Sequence, residues 1–255
     1  MIHYLSFPKG SFVNGDIFSE HTSVKYATID KAIQLIKAGQ GCFMAKTYIK
    51  NAIRIIPIRP EDYGLLGKQW RDFYYYDRSL PMGCSLSCLT FETFSTTVEW
   101  TAHSKLNISY ILHLLDNFLL IAPSRQLCEM QIDLFLSLCS YLGISMTPEK
   151  TYGPVTILSF AGIELDSVLL EARSPSDKLD KCRSLISEFL QRKKVTLNKV
   201  QSLTGLLNFS CPVVVVIPGR AFLQRLIDLT LGIHSPEHKI WLNKEVKEDL
   251  NFVLF

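Results

Sequence analysis

With 255 residues, the chain is long enough to bury the core of one large domain or of two smaller ones. Hydrophobic residues make up 47% of the sequence and charged residues 20%, a composition that excludes an intrinsically disordered protein. No apolar run is long enough to span a bilayer, and the N-terminus "MIHYLSFPKG" has no secretory signal pattern. We therefore expect an intracellular protein, cytoplasmic or nuclear, without a membrane partner.

The seven cysteines are odd in number and scattered along the chain. One close pair, Cys84 and Cys88, has no second pair that would complete a zinc site. We predict free cysteines that act as small buried hydrophobic residues in a reducing compartment.

The net charge is only +3, which does not by itself indicate a nucleic-acid partner. Its distribution is uneven, because residues 173–225 contain ten Lys or Arg and three acidic residues. Such a basic stretch either faces a phosphate backbone or forms an ordinary solvated helical surface.

The first half of the chain alternates predicted helices and strands. A helix is predicted over residues 30–38 and a strand over residues 42–48. An aromatic-rich hairpin is predicted to turn at Arg71 and Asp72, and a long helix to run over residues 85–102.

The segment "HLLDNFLLIA", residues 113–122, places an acidic residue between two apolar runs. Asp116-Asn117 is predicted to be a two-residue hairpin turn flanked by strands over residues 110–115 and 118–122. The pair is either an ordinary turn or a strand tip whose carboxylate holds a divalent metal ion. The local spacing leaves both interpretations open.

The pattern changes near residue 172. Before it, a helix is predicted over residues 125–142, with strands over residues 156–166 and 168–172. After it, the sequence "SPSD" predicts a helix start with Ser174 as the N-cap. Helices are predicted over residues 175–192, 197–209 and 219–231, so a mixed α+β body is followed by a helical part.

Seven segments in series resemble the reverse transcriptase domain of retroelement polymerases, most closely that of the DIRS-like tyrosine-recombinase retrotransposons. They span nearly the whole chain in the order and at the spacing of that family. The segments are "HYLSFPKGSFVN", "AKTYIKNAIRIIPI", "YYYDRSLPMGCSLSCLTFE", "HLLDNFLLIA", "LGISMTPEKT", "SFAGIELD" and "KVQSLTGLLNFSC" with "PGRAFL".

The resemblance implies an α+β right-hand polymerase with partial fingers, an antiparallel-sheet palm and a helical thumb. Residues 1–172 would form the fingers and palm, and residues 173–255 the thumb and the start of the connection. The partners would be an RNA or DNA template-primer duplex and, if the domain is active, a dNTP. The chain starts after the basic fingers hairpin and stops before a ribonuclease H domain, so we expect a fragment or a decayed copy.

The palm of this family holds two Mg²⁺ or Mn²⁺ ions on acidic residues. In this chain Tyr48 stands where the family has the first palm Asp, and the usual Asp-Asp doublet is Asp116-Asn117, preceded by Leu114 instead of an aromatic residue. A phenol is a poor and bulky magnesium ligand, and an amide cannot offset the charge of a cation. We predict a weak, degenerate metal site at Asp116 and polymerase activity at or near zero.

Other positions match family positions that contact the nucleotide. The nucleotide-binding residues would be Ile49, Lys50, Asn51, Ala52 and Ile53, with Ile53 at the sugar gate, together with Met82 and Gly83 of "LPMG". Lys150 matches the lysine that is proposed to protonate the leaving pyrophosphate. Without the family resemblance, "LPMG" is better explained as an ordinary turn and Lys150 as a surface lysine.

The resemblance also implies contacts to the nucleic acid. Gly162 and Ile163 match the primer grip, although without the resemblance "FAGIELD" is better explained as an interior strand. Contacts to the nucleic-acid backbone are predicted for Lys193, Lys194, Lys199 and Arg220. Three interpretations follow: an impaired RNA-directed DNA polymerase, a non-catalytic nucleic-acid-binding module, or a retroelement remnant without function.

Overall fold

A computed structural model describes residues 5, 6, 12–37, 39–210 and 219–254 of the chain. The chain divides into two compact units. The first comprises residues 1–161 and 166–170, and the second comprises residues 162–165 and 171–255. The assignment of fingers and palm to residues 1–172, and of thumb to residues 173–255, stays a prediction.

The first unit contains three helices and seven strands within its described residues. In chain order they are α1 (Ile29–Lys37), β1 (Phe43–Tyr48), β2 (Gly67–Trp70), β3 (Phe73–Tyr76), α2 (Ser87–Leu106), β4 (Ile111–Leu114), β5 (Asn117–Ala122), α3 (Arg125–Tyr141), β6 (Tyr152–Val155) and β7 (Ile157–Phe160). Short 3-10 turns connect several of them, including Ala52–Ile55, Pro60–Leu66 and Pro148–Lys150.

The centre of the first unit is a four-stranded antiparallel sheet in the order β4-β5-β1-β6. Side chains alternate between the two faces of a sheet, so Ala45 and its partner Leu120 point to the same side. Helices α2 and α3 cover that side, where Phe91, Phe118 and Phe135 are fully buried. Burial of each such side chain stabilises the fold by about 1.5–3 kcal/mol.

The central hairpin turns one residue earlier than its sequence predicts. Leu115 and Asp116 form the turn, and Leu115 has a φ of 53°. Asn117 is the first residue of β5 and pairs with both Leu114 and Tyr48. The prediction of an Asp116-Asn117 turn is therefore wrong, because hydrogen-bonded neighbours on both sides draw Asn117 into the sheet.

Two further boundaries differ from the predictions. Helix α2 runs four residues past the predicted end and stops at Asn107, whose left-handed φ of 53° ends the helix. The strand predicted over residues 168–172 is largely a turn, since only Glu171–Arg173 is extended. There the Asp166 carboxylate accepts hydrogen bonds from the backbone amides of Val168 and Leu169, which stabilises a turn instead of a strand.

The second unit is less purely helical than predicted. Its elements are β8 (Ile163–Asp166, whose last residue belongs to the first unit), β9 (Glu171–Arg173), α4 (Ser176–Gln191), β10 (Lys194–Thr196), α5 (Leu197–Ser210), α6 (Gly219–Asp228), β11 (Lys239–Trp241) and α7 (Lys244–Leu254). Strands β10 and β11 pair in antiparallel fashion. Phe189, Val200, Leu203 and Leu250 are buried in a core separate from that of the first unit.

The start of α4 also differs from its prediction. The helix begins at Ser176, and Pro175 occupies the N-cap position without a side-chain hydrogen bond to the helix. Pro175 has an extended ψ of 146°, so Ser174 lies one residue too early to cap the helix. Ser174 as the N-cap is therefore a wrong prediction.

The six described cysteines are free. Cys42, Cys128 and Cys139 are buried, and burial raises the pKa of the Cys128 thiol to about 11 and that of Cys139 to about 12. Cys211 lies outside the described residues. None of the described helices is long and apolar enough to cross a membrane.

Candidate functional site

The ends of β1 and β5 bring the predicted metal-site residues together. Tyr48, the last residue of β1, lies directly opposite Asn117, the first residue of β5. Asp116 occupies the adjoining turn, and its carbonyl oxygen accepts a hydrogen bond from the backbone amide of Ile49 at 2.9 Å. Tyr48, Asp116 and Asn117 therefore meet at one end of the central sheet.

Two lysines flank the Tyr48 ring. Lys46 precedes Tyr48 by two residues on β1 and points to the same face, with its Nζ 5.9 Å from the ring centre. The Nζ of Lys150, in the 3-10 turn Pro148–Lys150, lies 5.3 Å from the same centre. The Lys46 ammonium also donates a hydrogen bond to the Ser159 carbonyl at 2.6 Å. Two ammonium groups thus lie close to Tyr48, the position at which a metal site would require a carboxylate.

The electrostatics of this cluster keep the phenol protonated. Burial raises the pKa of Tyr48, and the neighbouring Asp116 carboxylate raises it further. Burial also raises the pKa of Asp116, while its own backbone amide and Lys150 act in the opposite direction. The pKa of Lys46 is lowered by burial. Tyr48 is a neutral group at neutral pH and supplies no ligand charge.

The Asn117 side chain is buried, with 5% of its surface exposed. Its Oδ1 has no hydrogen-bond partner among the described residues. A buried acceptor left without a partner costs about 1–3 kcal/mol. The amide therefore keeps an oxygen that could accept a bond, but this oxygen carries no formal charge.

These residues do not fit the two-ion site that the sequence resemblance implies. Mg²⁺ requires hard oxygen ligands and binds through carboxylates together with substrate phosphates. The cluster offers the Asp116 carboxylate, a buried amide oxygen, a neutral phenol and two ammonium groups. In the part of the chain that the structure describes, no group of three or more His, Cys, Asp or Glu side chains could hold a metal ion. A cluster with two ammonium groups and one carboxylate is an unfavourable place for a divalent cation.

The stretch after Tyr48 is folded into the first unit. Ile49 is buried in the core, and Ala52 and Ile53 pack against that core. Asn51 has a left-handed φ of 57°, and Lys50 is exposed. Of the five predicted nucleotide-binding residues, Lys50 and Asn51 present exposed side chains, whereas the Ile49 side chain is buried and its backbone amide is bonded to Asp116.

The "LPMG" loop is held by a residue that sequence reasoning missed. Gly83 is exposed with a φ of 111°, and Met82 is half-buried. The Asn14 side-chain amide donates to the Gly83 carbonyl at 2.9 Å, and its oxygen accepts from the Ser85 amide at 2.9 Å. No local sequence pattern reveals this contact, because about 70 residues separate Asn14 from the loop.

The predicted primer-grip residues lie in the second unit. Gly162 has a φ of 80°, and its carbonyl oxygen accepts a hydrogen bond from Lys178 Nζ at 3.1 Å. A Cβ on Gly162 would lie 2.6 Å from that Nζ and 2.9 Å from the Phe209 ring, so this position requires glycine. Ile163 is buried on β8. Contact with a primer stays a prediction for both residues.

The residues predicted to contact the nucleic-acid backbone differ in whether their side chains are free to do so. Lys193 is exposed, and Lys194 is exposed with its Nζ 4.5 Å from the centre of the Trp241 ring. Lys199 forms an ion pair with Glu188, with N–O distances of 2.5 and 2.7 Å. The Arg220 side chain lies outside the described part of the structure. Lys193 and Lys194 are therefore the better candidates for phosphate contacts.

A buried cluster of polar side chains on the opposite face of the sheet was also missed. His113 Nδ1 contacts the Glu99 carboxylate, and His113 Nε2 lies 3.2 Å from Glu92 Oε1. Glu92 and Glu99 are seven residues apart and so share one face of α2, which was the available sequence signal. Glu92 and Glu99 belong to α2, and His113 lies on the face of the sheet opposite to Tyr48. We therefore interpret this cluster as structural.

No protein-family model matches the chain, and no curated protein matches it. Among solved structures, the chain is similar to the foamy viral protease-reverse transcriptase in complex with double-stranded DNA, with a TM-score of 0.70 at 15% identity. That match covers 95% of this chain and 39% of the viral chain. A second structure, the foamy viral protease-reverse transcriptase in complex with an RNA/DNA hybrid, has a TM-score of 0.68 at 16% identity and covers 83% of this chain and 26% of the viral one.

The chain therefore spans well under half the length of the viral proteins that it resembles. At these identities the likeness concerns the fold alone. The predicted fold class is confirmed: the chain has a mixed α and β architecture with antiparallel sheets, of the kind found in reverse transcriptase polymerases.

Proposed function

We propose that the chain is a reverse transcriptase domain of retroelement origin, related most closely to the DIRS-like elements, that binds a template-primer duplex without extending the primer. The observation that carries this proposal is the composition of the cluster around Tyr48. One carboxylate, Asp116, is accompanied there by a neutral phenol and by the ammonium groups of Lys46 and Lys150.

Loss of catalysis follows from the missing ligand charge. A site that has exchanged two of three carboxylates for Tyr48 and Asn117 binds Mg²⁺ or Mn²⁺ poorly. If several kcal/mol of transition-state stabilisation are lost with the metal ions, the rate falls by roughly a thousandfold or more. We expect that the chain does not incorporate a dNTP into a primer.

Binding of a duplex needs no metal ion. Phosphate contacts by lysine and arginine release counterions and provide affinity irrespective of sequence. Lys193 and Lys194 are exposed in the second unit, and Lys150 is exposed in the first. The viral reverse transcriptases of similar fold form complexes with double-stranded DNA and RNA/DNA hybrid, which supports the same class of partner here.

The test is a binding titration with a fluorescein-labelled, blunt-ended RNA–DNA duplex, performed at several salt concentrations in the absence of divalent metal. We expect saturable binding whose affinity falls steeply as salt rises. The same protein should not extend a primer in Mg²⁺ or Mn²⁺. Primer extension by the unmodified chain, or failure to bind the duplex at low salt, would overturn the proposal.

A further inference from the structure

The β2–β3 hairpin of the first unit carries an unusual set of exposed aromatic side chains. Trp70, Phe73, Tyr74, Tyr75 and Tyr76 are exposed by 66, 65, 80, 45 and 55%. No residue of either strand is buried. Soluble proteins rarely expose contiguous apolar surface without a binding role.

Both faces of the hairpin present aromatic rings. In the observed register Gln69 lies opposite Tyr74 and Gly67 opposite Tyr76, so these four residues share one face. The other face carries the pair Lys68 and Tyr75 and the pair Trp70 and Phe73.

Tyr74 and Tyr76, together with Lys68 and Tyr75 of the other face, line a groove of about 320 Å³. Tyr63 stacks on Tyr76, with ring centres 5.0 Å apart and ring planes at 19°. Gly64 and Gly67 also line the groove and leave space beside the rings, because they have no side chains. The volume lies at the lower end of the range of small-molecule sites and suits a planar group the size of a nucleobase.

The hairpin and the two residues after it, 67–78, carry three cationic residues and two acids, whereas Glu61 and Asp62 beside Tyr63 are paired with Arg59. Arg71 and Arg78 are exposed, and Asp72 is the exposed acid between them. Asp77 is buried and paired with Arg54 at 2.6 Å, which anchors the base of the hairpin. A surface that combines exposed rings with exposed arginines is complementary to a ligand that combines planar bases with phosphates.

We propose that this aromatic hairpin, residues 67–76 together with Tyr63, binds single-stranded RNA or DNA. Unpaired bases stack on Tyr74 and its neighbours, while Arg71 and Arg78 contact phosphates. Stacking on aromatic side chains is the usual way to bind unpaired bases irrespective of sequence. The inference rests on the proposed function, because the single strand in question is the overhang of a template-primer duplex.

The test compares one labelled duplex with blunt ends and the same duplex with a ten-nucleotide single-stranded template overhang. Binding of each is measured for the unmodified protein, for Tyr74→Ala and for Tyr74→Phe. Tyr141→Ala is the matched control, because Tyr141 is 88% exposed and lies away from the hairpin on α3. Thermal melts verify that each variant is folded.

We expect the overhang to strengthen binding of the unmodified protein, of Tyr74→Phe and of Tyr141→Ala. In Tyr74→Ala the increase in affinity that the overhang provides should be about tenfold smaller, because one stacked base is lost. The affinity for the blunt duplex should not change. Loss of blunt-duplex binding by the unmodified protein would contradict the proposed function but not this inference, which a binding titration with single-stranded oligonucleotide then tests alone.

The inference is overturned if the overhang does not increase the affinity of the unmodified protein, or if it increases the affinity of Tyr74→Ala by the same factor. It is also overturned if the hairpin proves to be a contact between two copies of the chain. That outcome would appear as a concentration-dependent dimer that Tyr74→Ala dissociates, without any effect of the overhang.

Discussion

The ammonium group of Lys150 lies 5.3 Å from the centre of the Tyr48 ring, and this pairing changes the character of the candidate site. Lys46 approaches the same ring from its own strand at 5.9 Å. A phenol between two cations is favourable, because the face of an aromatic ring attracts positive charge. The arrangement is therefore stable without a metal ion, whereas three carboxylates in the same place would require one.

The first prediction concerns the lysines of the second unit. Replacing Lys193 and Lys194 by Ala should weaken duplex binding and reduce the slope of log K against log salt by about 1–2, since each phosphate contact contributes about one. Fluorescence anisotropy at four or more salt concentrations measures the slope. Lys199→Ala is the matched control and should change it less, because Lys199 is paired with Glu188.

An equal change of slope in Lys199→Ala and in the Lys193→Ala, Lys194→Ala double variant would contradict this distinction. It would mean that the Glu188 ion pair opens when nucleic acid binds.

The second prediction concerns Gly153, which packs against β1. Its φ is 111°, and a Cβ there would overlap the Met44 carbonyl oxygen and lie 2.7 Å from the Ala45 Cα. Gly153→Ala should lower the free energy of unfolding by about 2–4 kcal/mol, from backbone strain and crowding together. Denaturant titration followed by circular dichroism measures the loss.

Gly143→Ala separates the two causes. Gly143 has a φ of 73°, but a Cβ there would meet nothing within 4 Å. This variant should cost only the strain of a left-handed residue, about 1–2 kcal/mol. If both variants lost the same stability, crowding against β1 would have no measurable effect.

The third prediction is a pH dependence. The hydrogen bond from Lys199 lowers the pKa of the Glu188 carboxyl, and Arg192 lowers it further. A lowered carboxyl pKa stabilises the folded state above the unfolded pKa, and this contribution disappears as the pH falls through the folded pKa. Lys199→Met should therefore lower the melting temperature at pH 7 and have little effect near pH 2.

The expected size is below about 1 kcal/mol, because the pair is only partly buried and salt screens it. Lys193→Met, which removes an exposed lysine from the same region, is the control. A Lys199→Met effect that persisted unchanged at low pH would show that Lys199 acts through packing and not through the Glu188 charge.

The fourth prediction concerns His113. Replacing it by Leu leaves the carboxylates of Glu92 and Glu99 without their shared partner beneath the sheet. Leaving a buried polar group without its hydrogen-bond partner costs about 1–3 kcal/mol, so His113→Leu should be clearly less stable than the unmodified protein. His103→Leu, on the exposed side of α2, should stay within about 0.5 kcal/mol of the unmodified protein in the same unfolding experiment. Equal stability of the two variants would contradict the role given to His113.

Periodicity predicted much of the first unit. The helix α3 lies where its pattern indicated, since helical spacing reflects local burial. The hairpin at Arg71 and Asp72 was predicted from its aromatic residues and not from burial, because neither of its strands is buried. The position of the central turn was missed by one residue, because pairing of Asn117 with Tyr48 is a long-range interaction. Strands β10 and β11 were missed because each has only three residues.

In the candidate site, too, some features could be predicted from the sequence and others depend on long-range contacts. The resemblance predicted that residues 48 and 116 lie close together, and the structure brings them together through the β1–β5 register. Lys46 could have been predicted from its spacing of two residues before Tyr48 on one strand. The contact of Asn14 with the Gly83 loop could not, because only the folded chain brings these segments together.

The most direct test of the account is the affinity for Mn²⁺ measured by electron paramagnetic resonance on the unmodified chain and on the Tyr48→Asp, Asn117→Asp double variant. Asp116→Asn in the double variant serves as the control that removes the remaining ligand. We predict weak or no binding by the unmodified chain, and binding at least tenfold tighter in the double variant that the control abolishes. Equal Mn²⁺ affinity in the unmodified chain and the double variant would contradict the account, because residues 48, 116 and 117 would then not form one ion site.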